Sequence, residues 1–469
     1  MTNQKQLLYL NGLDGTTGQS FIDPVSYDAL TQRILAIYSP EQHSEEKKTY
    51  DMLRYSFRFY KEYKLDDPVQ AGWGLLVHAD EADHMKELLG DLIAHRNGQI
   101  LLYQGEGVRE WKEEYNADTI NPKKFPYYVL IAGSPNKIPY ELQFSLDVLQ
   151  AVGRIDFNDP SDYTHYAKTV VNQEMGRNSH SGKRVVFFAP RHPGDYPTSQ
   201  SSQRLVRPLL KKLPKSTDIP ADLKFISLIG EEATKANLVT ALEADKSGRT
   251  PALLFSASHG IGIKNTNPDQ KTLQGSIVCQ DFNFPLTIDR RNGFISGHDV
   301  AEGFCLPGGI FFLFACFGAG TRAQSDFIRY IPSMEGRERL SEIQGKEDFV
   351  SYLPKALLAD PQGGALAVIG HVDPAWVHSF ESPLSKRRRI DLFGFTLARL
   401  LRGKPVGFAV NTFNQKYTDL STDLLSMIED KEEDDLMPDP LDFTDLWICR
   451  NDAQNYVILG DPAVHLMFR

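Results

Sequence analysis

Cysteine is scarce in this chain: four in 469 residues, Cys279, Cys305, Cys316 and Cys449, with no Cys-x-x-Cys pair. That spacing offers neither a zinc knuckle nor a disulfide framework and fits a reduced compartment. Long apolar runs are missing too. The amino terminus, M-T-N-Q-K-Q-L-L-Y-L-N-G, lacks the apolar core of a signal peptide, and no run of roughly 18 apolar residues follows. The expectation is a cytoplasmic chain without a membrane span. Positive charge is outweighed: a formal net charge of −10 and a pI near 5.7 argue against nucleic acid as a partner, because counterion displacement needs a basic footprint. The glycine-rich N-G-L-D-G-T-T-G after Leu10 carries no Gly-Lys-Ser/Thr, so it reads as a tight surface turn and not as a phosphate loop. No repeat of a solenoid or propeller is present. The acidic run Glu429 to Asp435 lacks the glycine turn and spacing of a calcium loop and reads as a solvated loop. No metal or cofactor is expected.

What the chain does have is a series of short, wholly apolar segments. Ile310 to Ala315 shows no alternation, the pattern of a strand covered on both faces of a parallel sheet. It stops at Cys316, with Gly318 and Gly320 following. Ala252 to Ser258 has the same pattern and ends in His259-Gly260. Fifty-seven residues separate His259 from Cys316, enough for a crossover that makes the two strands neighbours. Sites in open α/β sheets lie past the carboxyl ends of strands, so a thiol nucleophile and an imidazole base are placed on one lip. His298 and His371 are the other histidines considered for the base, but neither precedes a glycine at the end of a long buried strand.

Further apolar strands are expected at Gly74 to His78, Tyr127 to Ala132, Val152 to Arg154, Val185 to Ala189, Phe225 to Ile229 and Ala365 to Ile369. Helical segments fall between them, at about 162 to 174, 198 to 212, 232 to 245, 348 to 359 and 390 to 402, and helical periodicity also marks residues 26 to 65. This alternation predicts an α/β fold, a mostly parallel sheet covered by helices on both faces. The polar R-N-S-H-S-G-K stretch before Val185 marks a restart, giving units at residues 1–181 and 182–469.

A strand ending Ser258-His259-Gly260, followed by a buried strand ending Ala-Cys-x-Gly, resembles the caspase-hemoglobinase clan of cysteine peptidases, most closely its gingipain-like and CHAT-type bacterial members. The resemblance extends to V-G-R-I-D-F at Val152, G-G-A-L-A-V-I-G-H-V-D-P-A-W at Gly363 and Y-V-I-L-G-D-P-A at Tyr456. It implies two side-by-side caspase-like subdomains, the second bearing the dyad of Cys316 as nucleophile and His259 as general acid/base. Backbone N–H groups of Gly260 and Cys316 would form the oxyanion hole, and Gly260 would leave room for the substrate carbonyl. An acid orienting the histidine would come from the segment after the Gly-Arg strand, where Asn158 stands between Asp156 and Asp159. Trp376 would wall the primary pocket, with Lys168 and Asp373 as candidate substrate-binding charges that could pair and leave an uncharged slot. The resemblance implies a cytosolic endopeptidase acting on a protein substrate, in a setting such as bacterial defence or cell death with a gasdermin-like pore-forming partner. The basic run Lys386 to Arg389 could be a self-processing site, a docking patch or an exposed helix start.

Two rivals share the sheet. A non-catalytic caspase-like scaffold would be expected to have lost Cys316 or His259, and both are present. A nucleotide-binding protein would want the phosphate loop that is missing.

Overall fold

The computed structural model describes residues 7–37, 63–119, 121–177, 182–283, 293–377, 380, 389–434 and 438–468. Its centre is one ten-stranded sheet in the order Gln99–Tyr103, Trp73–His78, Tyr128–Ala132, Ala151–Ile155, Tyr456–Gly460, Ala367–His371, Ile310–Phe314, Leu253–Ala257, Arg184–Ala189, Lys224–Ile229. The sheet is mostly parallel. Tyr456–Gly460, near the end of the sequence, sits in the middle and runs antiparallel to Ala367–His371. The expected α/β architecture is present, with helices over both faces.

The unbroken apolar runs form the central strands because those strands have no solvent side: Ile310 to Ala315 and Leu253 to Phe255 are fully buried, which suits residues lacking a polar atom to satisfy. Phe255, Phe312, Phe393, Phe413 and Tyr456 interlock edge to face across the layer, with ring centroids 5.2 Å apart for Phe255 and Phe312 and 5.3 Å for Phe393 and Phe413. Edge-to-face contact aligns ring quadrupoles and adds about 0.5–1.5 kcal/mol per pair beyond the burial itself.

Arg154, in the Gly-Arg strand, is fully buried with no carboxylate bound to it among the described residues. Its guanidinium donates instead to Gln143 Oε1 (2.9 Å), the Gly133 carbonyl (2.8 Å) and the Ile138 carbonyl (2.8 Å). This ties down the loop between Tyr128–Ala132 and the helix Tyr140–Asp147. That helix start in turn reaches the cysteine strand's lip, where Tyr140 Oη donates to the Phe349 carbonyl (3.4 Å) and Arg322 pairs with Glu141 (3.2 Å).

A smaller four-stranded sheet, in the order Phe294–Ile295, Ile277–Val278, Gly260–Gly262, Gly12–Asp14, stands on the lip of the main one. The N-G-L-D-G segment is therefore no surface turn throughout. Asn11 and Gly12 are buried, and the reversal begins only at Asp14, whose carboxylate accepts from the Thr16 and Thr17 N–H groups. A second apolar cluster covers this sheet, made of Leu10, Phe21, Leu30 and Ile34 from the start of the chain with Cys316, Phe327, Trp376, Leu424 and Trp447.

The acidic run also departs from expectation. Glu429 to Asp434 close the helix Val406–Asp434; Asp435 lies outside the described residues. Leu420, Leu424 and Ile428 recur four apart and are buried, so one apolar stripe carries the helix into the run. Of the basic run only Arg389 is described. It is half-buried and its guanidinium pairs with both Asp445 carboxylate oxygens (3.1 and 2.6 Å), so it is no free helix-start charge. The sequence boundary near residue 181 and the periodicity of residues 38–62 also lie outside the described residues.

Candidate active site

The histidine and cysteine strands are neighbours and parallel, with Leu253 opposite Ile310 and Ala257 opposite Phe314. The pairing continues past both ends, where Ser258 N–H donates to the Phe314 carbonyl (3.2 Å). Equal advance along two parallel strands brings residues 259 and 316 level. The closeness explains Gly260 differently from the sequence expectation: a Cβ there would lie 1.9 Å from the Cys316 carbonyl oxygen and 2.9 Å from its nitrogen. It is the cysteine backbone, not a substrate, that leaves no room. The next residue, Phe317, has φ = +58°, a left-handed conformation costing a non-glycine residue about 1–3 kcal/mol. The Phe317 carbonyl is held by Ser351 Oγ at 2.6 Å, which fixes the turn that presents Cys316.

His259 is wholly buried. Its Nε2 lies 2.9 Å from Asp195 Oδ2. Burial alone would raise the pKa of Asp195, but the facing His259 and the Thr198 hydroxyl and N–H hold it well below the usual carboxylate range. An ionised carboxylate only accepts hydrogen bonds, so Nε2 carries a proton and Nδ1 is the nitrogen left for proton transfer. That Nδ1 is buried and has no hydrogen-bond partner among the described residues.

Asp195 is the residue that the sequence reading missed. It caps the helix Tyr196–Gln200 after the strand Arg184–Ala189, which neighbours the histidine strand on the side away from Cys316, with Phe188 opposite Ser256. An aspartate a few residues past the end of the strand beside the histidine strand was the available signal. The acids expected after the Gly-Arg strand are occupied elsewhere: Asp156 accepts from Lys355 Nζ (2.6 Å), Asp159 caps Pro160–Glu174 through Ser161 (2.9 Å), and Asn158 lines a separate cleft with Tyr352 and Lys355. His371 has both ring nitrogens engaged, Nδ1 with the Asp373 carbonyl (2.6 Å) and Nε2 with the Asp452 carbonyl (3.2 Å). His298 packs on Tyr352.

Cys316 is fully buried. Its Sγ donates to the Asn11 carbonyl at 2.6 Å, and the Ala375 N–H donates to Sγ at 3.1 Å. Burial pushes the thiol pKa well up; the Ala375 N–H opposes this, and Asp452 and Asp373 add to it. In this closed arrangement the sulfur is a thiol and not a thiolate.

Trp376 and Asp373 belong to the loop beside Cys316. Trp376 is buried edge-on against Phe327 (5.6 Å). Asp373 has turned inward: Oδ2 accepts from Ser325 Oγ (2.8 Å) and the Asp326 N–H (3.2 Å), while Oδ1 is buried with no hydrogen bond. Burial pushes its pKa up to about 7, against the pull of Arg322. Lys168 is not at this site. Pro160–Glu174 leaves the lip and runs across the sheet, so Lys168 lines a cavity with Gly308 and Gly363, which precede the cysteine strand and its neighbour at the opposite edge. The pair anticipated between Lys168 and Asp373 does not form.

A cleft of about 620 Å³ opens beside Asp195, lined by His192, Tyr196, Arg207 and Glu231 among others. A cavity of about 770 Å³ lies away from the dyad, against Phe393, Phe395 and Phe413 on the helical face. No group of three or more potential ligands could hold a metal ion among the described residues, and no helix among them is long and apolar enough to cross a membrane.

No protein-family model matches the chain, and no curated protein does. A solved structure described as "Structure of Protease" shares 10% identity with a TM-score of 0.44, covering 84% of this chain and 78% of its own. The chemistry below rests on the chain's own residues.

Proposed function

We propose that this chain is a cysteine-type endopeptidase in which Cys316 is the nucleophile, His259 the general acid/base and Asp195 the group that orients it. One observation carries the reading: next to Cys316 stands a buried imidazole with one nitrogen fixed by a carboxylate and the other without a partner. A satisfied core histidine has both nitrogens engaged, as His371 does. His259 keeps one for a proton in transit.

In this reading the Cys316 thiol gives its proton to His259 Nδ1 as Sγ attacks a peptide carbonyl, and the oxyanion is met by the Gly260 and Cys316 N–H groups. His259 Nδ1 passes its proton to the leaving amine, and water then cleaves the thioester. Asp195 keeps Nε2 protonated throughout and stabilises the imidazolium. Trp376 and Asp373 flank the substrate. The clan resemblance supports the same reading and adds its setting: two units at 1–181 and 182–469, a cytoplasmic location, and cleavage of a protein partner such as a gasdermin-like pore former. The test is cleavage of an unfolded protein and a peptide library by wild type, Cys316→Ala and His259→Ala. Turnover by wild type alone is expected; equal turnover by either variant overturns the assignment.

A further inference from the structure

The segment Tyr9 to Gly12 lies across Cys316 as an extended peptide. Asn11 N–H donates to the Ala375 carbonyl (2.8 Å), and Val377 N–H donates to the Tyr9 carbonyl (3.1 Å). Leu10 thus stands antiparallel to Trp376. On the far side Gly12 pairs with Gly260, and the Tyr9 ring rests on Tyr196, centroids 4.4 Å apart. Strand addition of this kind is how a groove grips a peptide through its main chain while separate pockets read alternate side chains. Here the carbonyl presented to the thiol is that of Asn11, at 2.6 Å from Sγ.

The Asn11 side chain shows what the groove reads. It is fully buried, and its Nδ2 donates to the Ser258 carbonyl at 3.0 Å. An aspartate there would bring an oxygen against that carbonyl. Arginine or lysine would bury a cation, and the acids flanking the dyad are already engaged, Asp195 with His259 and Asp373 with Ser325 and the Asp326 N–H. Glutamine is one methylene longer in a closed space.

We infer that the groove selects asparagine immediately before the scissile bond, and that the chain's own Asn11–Gly12 bond is its first substrate. This rests on the peptidase reading above. Cys316 passes its thiol proton to His259 Nδ1 as Sγ bonds to the Asn11 carbonyl carbon, and the Asn11–Gly12 C–N bond breaks. The Gly12 amine leaves with the proton from His259. Water then splits the thioester, regenerating Cys316 and leaving a carboxylate on Asn11. Until that segment leaves, the thiol is covered and other substrates are shut out.

The test uses the full chain. Intact mass is followed in wild type and Cys316→Ala, with a parallel assay on Tyr-Leu-X-Gly-Leu-Asp peptides where X is Asn, Asp, Gln, Arg or Lys. The expected result is a new chain beginning at Gly12 in wild type only, and cleavage of the Asn peptide faster than the others by about 10- to 100-fold, the scale set by leaving a buried polar group unpaired. A second variant, Gly12→Ala, places a methyl 2.0 Å from the Phe21 ring; lifting the segment should speed alkylation of Cys316 severalfold. A wild type that cuts the Arg or Asp peptides as fast and stays intact at Asn11 overturns the inference and leaves the peptidase standing. Cleavage after Asn11 in Cys316→Ala also overturns it. A wild type that cuts nothing, even with Cys316 open to alkylation in Gly12→Ala, overturns both.

Discussion

The two edges of the main sheet each bury charged groups, but they finish them differently. At the edge where the cysteine strand begins, Asp461 accepts from Trp73 Nε1 (2.9 Å), Arg96 Nε (2.8 Å) and the Ala463 N–H (2.9 Å). Glu174 takes two further bonds from Arg96 (2.7 and 2.6 Å) and faces His95 at 2.7 Å. Nothing in this cluster waits for a partner. At the edge where the strand ends, His259 Nδ1, Asn11 Oδ1 and Asp373 Oδ1 are all buried without a hydrogen bond among the described residues. Leaving a buried polar atom unmade costs about 1–3 kcal/mol, so a cluster of them on one lip is expensive. The paired edge ties Trp73 and the helices ending at Arg96 and Glu174 to the end of Tyr456–Gly460; the unpaired edge is the one that carries the proposed dyad.

Substitutions can break that contrast. The largest effect is expected from Cys316→Ala or His259→Ala, which should lower turnover by about four orders of magnitude or more, with little change in unfolding temperature for Cys316→Ala, where a small residue replaces a small one. Asp195→Asn should cost about 10²- to 10⁴-fold in kcat, because an amide can also donate and no longer fixes the imidazole tautomer; a kcat near wild type would remove Asp195 from the site. At the other edge, Asp461→Ala removes the acceptor of Trp73 Nε1 and Arg96 Nε while Arg96 keeps its Glu174 pair, and should cost about 1–3 kcal/mol of stability, while turnover per folded molecule stays unchanged. Chemical denaturation combined with active-site titration separates the two quantities.

The last effect is a pH dependence. The folded-state pKa of Asp373 is raised to about 7 from an ordinary 3.8. The folded chain therefore holds this proton more tightly than the unfolded chain between those values. Its stabilising contribution is complete below the unfolded pKa and is lost as pH rises through about 7. Asp373→Asn should remove a decline on the order of a few kcal/mol across that window. Parallel pH profiles for the two proteins would contradict the burial argument.

The contrast also shows what could be read from the chain. Ile310 to Ala315 and Ala252 to Ser258 were legible as central strands because burial on both faces writes itself as an unbroken apolar run, and their ends located Cys316 and His259. Gln99–Tyr103 was not, being an edge strand with only Leu101 and Tyr103 buried. Asp195 and Asn11 were invisible for another reason: each meets the site across a large sequence separation, 247 residues between Asn11 and Ser258, and no spacing rule encodes such a contact. Lys168 was misplaced because counting along a helix gives its register but not the distance it has travelled from the lip.

The most direct test of the central claim is the mass of the covalent intermediate. Wild-type protein turning over a saturating peptide is quenched in acid and digested. The account predicts the acyl portion of the peptide attached as a thioester to the fragment containing Cys316, with no adduct and no turnover in Cys316→Ala. Undiminished turnover in that variant would contradict it.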